Sequence, residues 1–110
     1  MRLSCHCEIE KDLKKLKRFP APIESLEAWK RLFCLKGLKE TPGIKQYPGF
    51  GQGKIFKARV VPLKEKCGKS DGYRLIFKAV ANDSYEIIVF SRHGIYKHER
   101  ELMKKIKDRS

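Results

Sequence analysis

From Lys54 onward the chain alternates apolar and basic positions at the strand period of two. Lys54-Ile-Phe-Lys-Ala-Arg-Val-Val-Pro-Leu63 puts Phe56, Ala58 and Val60 on one face and Lys57 and Arg59 on the other. A polar connection over Lys64–Asp71 follows. Gly72-Tyr-Arg-Leu-Ile-Phe77 then repeats the arrangement, with Tyr73, Leu75 and Phe77 on one side and Arg74, Ile76 and Lys78 on the other. The two segments predict strands at about 54–62 and 72–81. A further strand is expected at about 85–92, reached through Asn82-Asp83-Ser84, residue types that favour a tight turn. Earlier in the chain the apolar spacing becomes helical. Ile9, Leu13 and Leu16 form one stripe over Glu8–Lys17, with lysines opposite. Phe19-Pro-Ala-Pro22 breaks that helix, and Pro22 suits the first turn of a second. The second helix would bury Ile23, Leu26, Trp29 and Phe33 and end near Gly37.

Residues 2–6 read as a short first strand. Residues 41–53 hold Pro42, Gly43, Pro48, Gly49, Gly51 and Gly53 and read as a loop. Ile95, Leu102, Met103 and Ile106 support a C-terminal helix of about 95–108. The order βααβββα predicts an α+β fold. It would be a small antiparallel sheet with an N-terminal helix pair and a C-terminal helix, packed mainly on one face. A chain of 110 residues is one domain, spanning 1–110.

Charge changes what the sheet means. The chain carries 26 Lys and Arg against 13 Asp and Glu, a net charge of +13. Residues 1–53 contribute +5 and residues 54–110 contribute +8, so the C-terminal half is the stronger anion surface. Paired antiparallel strands would gather Lys57, Arg59 and Arg74 into one cationic cluster. Like charges facing one another across strands cost stability, so an anionic partner is expected there. A phosphodiester backbone fits the composition best; an acidic protein or an anionic membrane surface is also compatible with the charge alone. Lys78 on that face reads equally well as ordinary solvation.

No apolar run suits a signal peptide or a transmembrane helix, so a cytoplasmic protein with reduced cysteines and no membrane association is expected. Cys5, His6, Cys7, Cys34 and Cys67 could supply a metal site. However, Cys5 and Cys7 straddle one residue on an expected strand, and Cys34 falls within a helix. Closed zinc sites draw paired ligands from turns at wider spacing, so no metal or cofactor is expected. Cys34 reads as a small buried hydrophobe. Phe90-Ser-Arg-His-Gly-Ile-Tyr-Lys-His-Glu-Arg100 is the second dense patch. Its His93, His98 and Tyr96 offer acid–base capacity near neutral pH. Lys54, Lys78, Arg92, Lys97 and Arg100 are the candidate flanking contacts to nucleic acid.

The order of elements and several residue groups together resemble the RelE/ParE toxin superfamily. These are Glu10-Lys-Asp-Leu-Lys-Lys-Leu16, Phe56-Lys-Ala-Arg59, Gly72-Tyr-Arg-Leu-Ile-Phe77, and the closing Arg92-His93 before a short amphipathic helix. The resemblance covers nearly the whole chain. It implies a RelE-like fold and a toxin of a type II toxin–antitoxin system, paired with an acidic antitoxin, that cleaves mRNA in the ribosomal A site. It implies that Lys57, Arg59 and Arg74 stabilise the scissile phosphate, without a metal. His93, His98 or Tyr96 would move protons as the ribose 2′-hydroxyl attacks phosphorus. The alternative is a noncatalytic protein of the same fold, either a ParE-like gyrase-binding toxin or a degenerate relative that binds only RNA or an antitoxin.

Overall fold

The computed structural model describes residues 2–17, 21–41, 43–47, 54–60, 72–92 and 99–109. Along the chain run β1 (Arg2–Cys5), α1 (Ile9–Lys15), α2 (Pro22–Glu40), β2 (Ile44–Gln46), β3 (Ile55–Val60), β4 (Tyr73–Ala81), β5 (Ser84–Arg92) and α3 (Glu99–Arg109). The fold is α+β. The five strands form one sheet in the order β1-β5-β4-β3-β2. The pairs β5–β4, β4–β3 and β3–β2 are antiparallel, but β1 lies parallel to β5. The sheet is therefore mixed, not purely antiparallel as expected. The parallel edge follows from connectivity: α1 and α2 intervene between β1 and the far edge, a crossover that period-two patterning cannot reveal. β2 is a further correction, because a three-residue strand sits inside the segment read as a loop.

α2 begins at Pro22, as its fixed φ favours. Its buried residues include Leu26, Trp29 and Phe33; Ile23 is 56% exposed, and Ser25 is the buried position in the first turn. Gly37 breaks the regular helix with φ 78°, a conformation glycine adopts without cost. Thr41 then donates its backbone N–H and its hydroxyl to the Gly37 carbonyl, at 3.1 and 2.7 Å. Trp29 stacks on Phe33 at 4.9 Å, and Phe33 meets Phe77 edge-on at 5.2 Å. These rings join Ala58, Val60, Tyr73, Leu75, Ile87 and Phe90 of the sheet, with Ile9 and Leu16 of α1, in the main core.

α3 does not join that layer. Leu102 and Ile106, with Met103, pack against Ile55, Ile76, Ile88, Val89 and Tyr47 on the other face of the sheet. Two of the three helices, α1 and α2, share one face, and α3 alone covers the other. The physical signal was the run Ile87-Ile88-Val89-Phe90, which is apolar on both sides, as in a strand covered on both faces. A register shift opposite Ile76/Phe77 places Ile88 and Val89 together on the α3 side, while Ile87 and Phe90 serve the main core.

The two layers meet around the edge of β5. The β1 ladder ends at Cys5 opposite Ile87. Beyond it, the Asp12 carboxylate of α1 accepts the Phe90 N–H at 3.0 Å. Arg109 of α3 donates to the Ile88 carbonyl at 2.9 Å and to both Asp12 oxygens at 2.7 and 3.1 Å. Both side chains are buried, with Asp12 2% and Arg109 8% exposed. Removing one member of a buried ion pair leaves an uncompensated charge, so Asp12→Ala is expected to lower unfolding stability in urea by about 3–5 kcal/mol. Asp12→Leu with Arg109→Leu should not restore it, because the Phe90 N–H and Ile88 C=O would lose their caps. A double variant as stable as the parent would refute the capping role.

Candidate functional site

The alternation of β3 and β4 becomes a row of side chains across the sheet. Arg59 stands directly opposite Arg74, and Arg74 directly opposite Ser91 of β5. Lys57 lies on the same face, opposite Ile76. Phe56, Ala58, Val60, Tyr73, Leu75 and Phe77 face the main core. The structure therefore brings together the three cations that the alternation placed on one side. Arg59 is exposed; Lys57 and Arg74 are half-buried. This face is not open throughout, because α3 covers its apolar centre around Ile76.

Each neighbouring cation is handled differently. The Lys57 ammonium sits 5.7 Å from the centroid of the buried Tyr47 ring, within cation–π range. Lys78 pairs with Glu86 across the ladder at 3.3 Å, so its charge is locally balanced. Arg92 pairs with Tyr73 and holds its guanidinium carbon 5.4 Å over that ring. That puts Arg92 on the face opposite Arg74 and the cationic cluster. Side chains alternate along β5, so Ser91 takes the place on Arg74's face. Lys54 is exposed in the turn before β3, about 16 Å of extended chain from Arg59. Arg100 is exposed on the first turn of α3. His93, Tyr96, Lys97 and His98 lie outside the described residues.

Cys5, Cys7 and Cys34 are free cysteines exposed as residues, although the Cys5 sulfur itself is partly covered. Cys34 is thus not the buried hydrophobe expected, since it stands beside Phe33 on the outer side of α2. Cys67 lies outside the described residues. Burial of its sulfur pushes the Cys5 thiol above its ordinary range, opposed by the nearby Lys30 ammonium. His6 accepts the Glu8 backbone N–H on Nδ1 at 3.1 Å, which orders the turn into α1. Among the described residues, no group of three or more His, Cys, Asp or Glu side chains could hold a metal ion.

Chemically, the Arg59–Arg74 row with Lys57 can bind and stabilise an oxyanion. Two guanidinium groups offer forked donors that match phosphate oxygens. Ser91 is the site neighbour that the sequence did not single out; its only signal was the polar position directly after the apolar run Ile87–Phe90. Comparison of the chain with protein-family models, with curated proteins and with solved structures finds no match in any of the three.

Facing guanidinium groups repel across the strands. Arg59→Thr is therefore expected to stabilise the protein by about 0.5 kcal/mol, since it removes a like-charge pair and adds a good strand former. Added pyrophosphate should raise the melting temperature of the parent more than that of the variant, because only ligand that binds the native state stabilises it. Equal shifts in the two proteins would mean that this row is not an anion site.

Proposed function

We propose that the chain is the toxin of a type II toxin–antitoxin system, a ribosome-dependent endoribonuclease that cleaves mRNA without a metal. The observation that carries this reading is the direct pairing of Arg59 with Arg74 on one sheet face with Lys57. The RelE-like sequence features and the net charge of +13 support it. In the proposed reaction a ribose 2′-hydroxyl attacks the adjacent phosphorus and the 5′-oxygen leaves. The products are a 2′,3′-cyclic phosphate and a 5′-hydroxyl. One group takes the 2′-hydroxyl proton and another protonates the departing oxygen. Lys57, Arg59 and Arg74 stabilise the anionic phosphorane, a contribution that is usually the largest single one in such sites. His93 is the first choice for proton transfer, then His98, then Tyr96, which could also serve as a stacking platform for a base. An acidic antitoxin segment would neutralise the free toxin by ordering over the basic face.

Inducible expression with growth curves and mRNA 5′-end mapping tests the reading. Arg74→Ala is expected to keep its fold and lose cleavage by ~100-fold or more. A folded Arg74→Ala protein as toxic as the parent would sink the mechanism. Toxicity of the parent without mRNA cleavage would identify the noncatalytic alternative, such as a gyrase-binding toxin.

The proton-transfer residues separate by pH. His93→Ala should slow ribosome-dependent cleavage by ~100-fold and flatten the acid limb of the rate profile. Unchanged rates and profiles for both His93→Ala and His98→Ala would leave a site that works by charge and positioning alone.

A further inference from the structure

The Ser91 hydroxyl is buried and has no hydrogen-bond partner among the described residues. The residue is 3% exposed, so bulk water does not satisfy the group either. A hydroxyl held this way costs stability. Ser91 also lies in a strand whose adjoining residues Ile87, Ile88, Val89 and Phe90 are buried and apolar. An alanine there would remove the unsatisfied group at little cost in packing. Directly across the ladder stands Arg74. Facing residues of an antiparallel pair hold their Cβ atoms roughly 5 Å apart, within the reach of an arginine side chain. A serine hydroxyl accepts hydrogen bonds as well as donating one, whereas a guanidinium only donates.

We infer that Ser91 is a positioning residue of the anion site: in the phosphate-bound state its Oγ accepts an N–H from Arg74 and fixes the guanidinium on the phosphate oxygens. The inference rests on the proposed phosphodiester site and extends it to β5. Arg74 then has a neutral acceptor on one side and the like charge of Arg59 on the other. A carboxylate in place of Ser91 would compete with phosphate for the same guanidinium. A hydroxyl orients the group without neutralising it.

The test is a binding and melting cycle with the parent, Ser91→Ala, Arg74→Ala and the double variant. The probes are a fluorescein-labelled RNA carrying 2′-O-methyl riboses, which cannot be cleaved, and inorganic pyrophosphate. Ser91→Ala should melt at the parent's temperature or above it and bind both probes about tenfold more weakly. Its salt dependence on RNA should match the parent's, whereas Arg74→Ala should lower the salt slope by about one. In the Arg74→Ala background the Ser91 change should have no further effect, since the two residues act as one unit. Ser91→Cys, of similar volume and a weaker hydrogen-bonding partner, should show the same loss of binding.

Unchanged affinity in Ser91→Ala, or a loss that persists without Arg74, overturns the inference. So does a Ser91→Ala protein that melts lower or fails to fold, because the hydroxyl would then be structural. A parent that binds both probes but cleaves no mRNA would refute the nuclease reading while the cycle still decides the role of Ser91. A parent that binds neither probe overturns both.

Discussion

The arrangement depends on one carboxylate. Asp12 reaches from α1 to the edge of β5, where it accepts the Phe90 N–H and binds Arg109 of α3 through both oxygens. Without it, β5 would present bare backbone groups at a buried edge beyond the short β1 strand. Unpaired backbone groups at such an edge are costly. The same contact also links helices on opposite faces of the sheet. Buried ion pairs add little net stability over apolar replacements. Here, however, the pair replaces strand pairing, so a hydrophobic swap cannot reproduce it. Lys105 adds a longer contact to the same carboxylate at 3.9 Å, which further offsets the buried negative charge.

That clamp determines which part of the second face remains available. With Arg109 held at the β5 edge, Leu102 and Ile106 cover Ile76, Ile88 and Val89. Arg59 stays exposed beside this covered patch. The surrounding cations are each matched to a partner or turned away: Lys78 to Glu86, Lys57 to the Tyr47 ring, Arg92 to Tyr73 on the other face. Arg59 and Arg74 stand directly opposite each other in the ladder. A fold optimised only for stability would place opposite charges across that pair. Facing like charges therefore carry an electrostatic cost at this row.

Much of this was legible in the chain. Alternation in Phe56-Lys-Ala-Arg59 and Tyr73-Arg-Leu-Ile-Phe77 assigned both faces correctly, because side-chain direction in a strand is a local property. The positions of α1 and α2 and the Asn82-Asp83 turn were likewise local. What remained hidden was nonlocal. The parallel β1–β5 pairing depends on a crossover, and the three-residue β2 is placed by its pairing with β3. Asp12 reads as one more polar residue on a lysine-rich helix until Phe90 and Arg109 arrive from 78 and 97 positions away. The face that Arg92 takes was hidden for a related reason. The register between β4 and β5 puts it opposite Tyr73, and a one-residue difference changes faces.

α3 also changes the meaning of the cationic row. The alternation alone places Arg74 on the face away from Tyr73, Leu75 and Phe77. In the structure it is half-buried on the face that α3 covers, next to the buried Ser91. Arginine stems bury their methylenes against apolar surface while the head stays polar. A change at Arg74 therefore removes packing as well as charge, whereas Arg59 is exposed on the adjoining strand and carries mainly charge. The two residues form one row yet report different physics. Agreement between their effects on anion binding would assign the row's role to electrostatics, because only Arg74 is half-buried while Arg59 is exposed.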